Sequence, residues 1–156
     1  MAINGMTSRE AFNAVCAMLE NHNLKYEADA SELKILCGIQ GEDFPVRMQI
    51  IIDDDHKLIA LYSQLPFEVQ ENKRIDIALA ISQINNNLAD GSFDYDMRDG
   101  SILFRLTISY IDSIIGDEAL FYQLLVSFKT IDEYNDKLFL VSNGAISIED
   151  FLSSEN

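Results

Sequence analysis

Residues 92–108 read SFDYDMRDGSILFRLTI. Phe93, Tyr95 and Met97 alternate with Asp94 and Asp96, and Ile102, Phe104, Leu106 and Ile108 alternate with Leu103, Arg105 and Thr107. A period of two sends one set of side chains to each face of a strand. Asp99-Gly100 between the two runs offers the positive φ that a tight hairpin turn demands. The stretch predicts an antiparallel hairpin, and its flanks decide what that hairpin packs against.

On the upstream side, Ile77, Ile81, Ile84 and Leu88 recur at helical spacing between Asn72 and Leu88, with Ile75 and Leu79 widening the stripe into a broad apolar face. This is expected to be the central helix. On the downstream side, a long helix from about Asp117 through Leu140 carries Leu120, Leu124, Phe128 and Ile131, joined by Phe121 and Leu125. Asn143-Gly144 ends it, and Ser147 with Asp150 caps a short last helix.

The first half of the chain supplies the rest of the sheet. Thr7 and Glu10 form a capping pattern ahead of Phe12, Val15, Cys16 and Leu19, which predicts a helix over about 8–21 closing at Asn21-His22-Asn23. Leu33, Ile35, Cys37 and Ile39 alternate with mostly polar neighbours, as do Val46, Met48, Ile50 and Ile52, and a short edge strand over Leu24–Ala28 precedes them. Gly38 and Gly41 read as a strand end. Asp53-Asp54-Asp55-His56 interrupts the pattern and Leu58–Tyr62 resumes it, so 45–63 reads as a second hairpin, which Pro66 ends. The order α-β-β-β-(β)-α-β-β-α-α is that of an α+β protein, a five- or six-stranded antiparallel sheet with helices packed on it, in one domain over 1–156.

The helix bearing Arg74, Ile75, Asp76 and Asn85-Asn86-Asn87 leads into Gly91-Ser92-Phe93-Asp94-Tyr95-Asp96 and then Asp99-Gly100-Ser101-Ile102-Leu103-Phe104-Arg105. This run resembles the YbjN family of small bacterial proteins. The resemblance implies a fold similar to the class I type III secretion chaperones, a regulatory or chaperone-like role, and no catalytic residues.

Composition narrows the chemistry. The chain has 156 residues, 48% of them hydrophobic, and 26 acidic against 11 basic residues give a net charge of −15. Such a surface repels phosphate backbones and anionic lipid, which argues against nucleic acid and membrane as partners. The first ten residues lack the basic and apolar segments of a secretory signal, so the expected location is cytoplasmic. Cys16 and Cys37 lie far apart in apolar patterns and read as buried reduced thiols. Two histidines, His22 and His56, and no tryptophan leave little for zinc, haem or imidazole-base chemistry.

Two acidic clusters invite a cation. Asp53, Asp54, Asp55 and His56 could supply hard oxygen ligands, yet four adjacent residues in a hairpin turn splay apart. Asp94, Asp96, Asp99 and Gly100 suggest a calcium loop, but Arg98, Asp99 and Arg105 occupy the fifth, sixth and twelfth positions, where an oxygen ligand, glycine and a carboxylate belong. No phosphate loop, nucleophile elbow or dinucleotide turn occurs. The expectation is therefore no catalytic residue, no metal and no cofactor.

A surplus of apolar residues remains. Leu36, Ile51, Ile59, Leu61 and Leu103 are expected on the face of the sheet turned away from the helices, where a second copy or a partner polypeptide would bury them. This points to a non-enzymatic, chaperone-like or regulatory protein-binding module, homodimeric, in which Leu61→Asp or Leu103→Asp weakens the dimer without unfolding the chain. The alternative is a small-molecule or divalent-cation sensor, or a small hydrolase, built on the acidic turn or on an enclosed apolar pocket.

Overall fold

A computed structural model describes residues 4–155. Helix α1 spans Ser8–Asn21 and begins on the anticipated capping box: the Thr7 hydroxyl accepts from the Glu10 amide and the Glu10 carboxylate accepts from the Thr7 amide, both at 3.1 Å. It closes at Asn23, which holds φ +58°. Strands β1 (Tyr26–Asp29), β2 (Lys34–Gln40), β3 (Pro45–Asp53) and β4 (Leu58–Glu68) follow as a meander. A 3₁₀ turn (Glu71–Lys73) leads into α2 (Arg74–Asn87), and the hairpin β5 (Ser92–Tyr95) and β6 (Ser101–Ser109) comes next. Helices α3 (Asp117–Ser142) and α4 (Ile148–Ser154) complete the described chain.

All six strands form one antiparallel sheet in the order β1-β2-β3-β4-β6-β5, so α2 and β5 are passed before β6 joins β4 at the centre. Ile35, Ile50, Leu61 and Leu106 stand in one row across four strands, every one of them buried. With Met48, Ile59, Ile102, Phe104 and Phe93 they form the floor on which the helices rest.

Four details differ from the reading of the sequence. The central helix is α3, which packs on α1, α2, α4 and the sheet and buries Leu120, Leu124, Phe128, Ile131 and Leu138. Helix α2 lies beside it with Ile77, Ala80, Ile81 and Ile84 inward, while Ile75 and Leu79 point outward at 71% and 49% exposure. Pro66 does not end β4: the register shifts between Gln64 and Glu68, and a proline, which has no amide hydrogen to give the ladder, is tolerated in that irregularity. Gly38 lies inside β2 rather than at its end. Among the described residues no helix is long and apolar enough to cross a membrane.

Candidate functional site

The helices cover one face of the sheet, and the other carries the alternate residues of each strand, exposed or part-buried but for the shielded Ala60. One row across it is Leu36, Gln49, Tyr62, Arg105 and Ser92. Beside this row lies Lys34, Ile51, Ala60 and Thr107, and beyond it Gln64, Leu103 and Asp94. The apolar members are Leu36, 44% exposed, with the part-buried Ile51, Tyr62 and Leu103 and the small, shielded Ala60. Ile59 and Leu61 are not among them. Their registers to Ile52 and Ile50 turn both into the core, so the expected outer face keeps only Leu36, Ile51 and Leu103.

This face is dished. A hollow of about 790 Å³ is lined by Leu36, Tyr62 and Leu103, by Gln49 and Gln64 interspersed with them, and by the charged Lys25, Glu27 and Arg47. Gly38 shapes it. Paired with Arg47, it contributes no side chain, and a Cβ there would come within 2.7 Å of the Val46 carbonyl oxygen across the strand gap. The Arg105 guanidinium is held by Asp94 at 2.9 Å, whereas neither Arg47 nor Lys25 makes an ion pair among the described residues.

The acidic turns use their carboxylates locally. Asp53 accepts from the His56 amide at 3.0 Å and faces its Nδ1 at 2.9 Å, which together hold the Asp53 carboxyl below its ordinary pKa and raise that of the imidazole. Asp54 pairs with Lys57 at 2.7 Å. In the β5–β6 turn the Arg98 side chain and amide lower the Asp96 pKa to about 2, and Asp99 accepts from the Ser101 amide. Neither turn brings three ligand groups together. Both cysteines are free and part-buried, and burial pushes the Cys37 thiol up to about 12.

No local pattern marks a third cluster, because His22 lies nearly a hundred residues before the adjacent Asp117 and Glu118. His22, Asp117 and Glu118 bring ligand-type atoms within 4.8 Å of one another. Asp117 is already satisfied there, by His22 Nε2 at 2.7 Å and Asn21 Nδ2 at 2.9 Å, and both acids sit in the first turn of α3, whose field favours carboxylate over a cation. The His22 ring stacks on Phe121 at 3.7 Å, so the group joins the end of α1 to the start of α3. An adjoining apolar pocket, lined by Leu24, Ile39, Leu124 and Phe128 among others, holds about 230 Å³, below the range of ~300–1,000 Å³ usual for ligand sites.

Comparison with known proteins finds one family. The YbjN family model, described as "Putative bacterial sensory transduction regulator", matches residues 12–140. No curated protein sequence matches the chain. Among solved structures, the chain is similar to the crystal structure of YbjN from E. coli, described as "a putative transcription regulator". The TM-score is 0.59 at 15% identity, covering 85% of this chain and 91% of that one. It is also similar to a chain of the HopA1–SchA chaperone–effector complex, with a TM-score of 0.53 at 11% identity, covering 80% and 91%. The two likenesses establish a shared fold, the chaperone-like α+β architecture that the resemblance to the YbjN family implies.

Proposed function

The chain belongs to the YbjN family, and from that premise we propose that it is a non-enzymatic, chaperone-like or regulatory module that binds a polypeptide on the uncovered face of its sheet, the whole of 1–156 acting as one domain in the cytoplasm. The observation that carries this reading is the dished face itself, where Leu36, Tyr62 and Leu103 share one hollow with Gln49, Gln64 and the charged Lys25, Glu27 and Arg47. Burial of such a patch stabilises a complex by about 25 cal/mol per Å² of apolar area before the costs of association. The likeness to a chain of a chaperone–effector complex supports a polypeptide as what is bound.

A separate observation supports self-association. Ile75 and Leu79 stand exposed on α2, and Arg74 reaches the Met97 carbonyl oxygen at 3.4 Å, which sets the exposed Met97 beside the start of that helix. A second copy covering this patch makes a homodimer that leaves the dished face free.

Two measurements test these readings. Light scattering of reduced insulin follows aggregation of its B chain, and the purified chain is expected to suppress it. The folded variant Leu36→Asp/Leu103→Asp should lose that effect, and equal suppression by the variant would sink the reading. Size-exclusion chromatography with light scattering should give about twice the 17.6 kDa chain mass, reverting to the single mass in Ile75→Glu/Leu79→Glu. A monomer across a tenfold dilution series would exclude the dimer.

A further inference from the structure

Within the reading of the dished face as a polypeptide site, on which this step rests, we infer that the segment it takes is acidic: an apolar residue seated on Leu36, Tyr62 and Leu103, with a carboxylate beside it on Arg47. The whole chain carries −15, yet the charged lining of the hollow is Lys25, Arg47 and Glu27, two cations against one anion. Within this hollow the sign of the overall charge is inverted.

The inversion is set by the register. Gly38 stands opposite Arg47 on β2, so no cross-strand carboxylate can neutralise the guanidinium from that side. Gln64 lines the hollow with it, and Glu68, which lines the neighbouring depression with Arg47, makes no ion pair with it. By contrast, the other arginine of this face, Arg105, is already neutralised by Asp94. Arg47 is thus an exposed fork of five N–H donors with no ion pair among the described residues, in the same hollow as Leu36, Tyr62 and Leu103, and suited to a bidentate carboxylate. Repulsion from the rest of the chain falls off over a Debye length of ~8 Å at physiological salt, so the short-range pairing at Arg47 governs the bound state.

Fluorescence anisotropy with three labelled decapeptides tests this. Each peptide carries the same Leu-Val-Leu centre, flanked by glutamates, by glutamines or by lysines. The acidic peptide should bind about tenfold more tightly than the neutral one and the basic peptide most weakly, with the gap closing as salt is raised. Arg47→Gln should bring the acidic peptide down to the level of the neutral one. Leu103→Asp should weaken the acidic and neutral peptides alike. Equal binding of all three peptides, tighter binding of the basic one, or an acidic preference that survives Arg47→Gln would overturn the inference while leaving the polypeptide site intact. If no peptide binds, or if Leu103→Asp leaves binding unchanged, both fail.

Discussion

The side-chain amide of Asn85 hydrogen-bonds both backbone groups of Phe93, donating from Nδ2 to its carbonyl at 3.0 Å and accepting its N–H at Oδ1 at 2.8 Å. Strand β5 is an edge of the sheet, and Phe93 is where its outward N–H and C=O would otherwise stay unpaired. A residue of α2 thereby stands in for a further strand. Asn85→Leu should lower stability by about 1–3 kcal/mol, the cost of leaving those two groups without partners, measured by urea unfolding. Asn85→Asp, which keeps the acceptor and loses the donor, should fall between the two.

Leu61 and Leu103 separate the two faces of the sheet. Leu61→Asp places a charge in the row of Ile50 and Leu106 and should prevent folding, seen as loss of the native circular dichroism spectrum. Leu103→Asp lies on the open face and should keep the native spectrum, with stability changed by no more than about 1 kcal/mol.

The Asp53–His56 pair fixes the sign of a pH effect. The aspartate's folded pKa is lowered, so its contribution is present above the unfolded value of ~3.9 and fades as pH falls through the lower folded one. The imidazole's folded pKa is raised, so its contribution is complete below the unfolded value of ~6.5 and is lost as pH rises through the higher folded one. The pair acts in the window between them. NMR titration of His56 should give a midpoint above 6.5 that drops back toward that value in Asp53→Asn. His56 is 75% exposed, so salt should erode the shift.

Gly100 and Gly116 should respond in opposite ways to added side chains. Gly100 holds φ +79° with the Val69 backbone directly against the position of a Cβ, and Gly100→Ala should destabilise by about 1–3 kcal/mol. Gly116 is the N-cap of α3, with an extended backbone and open space around it. Gly116→Ser should supply the missing cap and raise stability by a few tenths of a kcal/mol, measured by thermal unfolding.

The elements themselves were legible because their signals are local. Thr7 with Glu10 starts α1, Asp99-Gly100 turns β5 into β6, and Ser147 caps α4 through the Asp150 amide as read. What misled was phase. Leu58–Tyr62 is apolar almost throughout, so alternation could not decide which residues face the helices; only pairing with Ile52 and Ile50 turns Ile59 and Leu61 inward. Ile75 and Leu79 fit a helical stripe as well as Ile77 and Ile81 do, and the position of α3 decides between them. The hollow was legible only in part. Leu36 and Leu103 stood out as surplus, while the opposition of Gly38 and Arg47 depends on a register that no short stretch of sequence encodes.

The passage of the chain through α2 and β5 before β6 reaches β4 also governs how the molecule is made. Strands β1 to β4 are joined by short turns and can pair as soon as they leave the ribosome, but Leu58 must wait for Ser109 to complete the middle of the sheet. At ordinary synthesis rates that delay is on the order of seconds, far longer than the microseconds a hairpin needs to close. The nascent chain thus presents β4 as a temporary free edge carrying Ile59, Ala60 and Leu61 in succession. The irregular stretch around Pro66 interrupts that edge near its far end, where a neighbouring nascent chain would otherwise find an unbroken template.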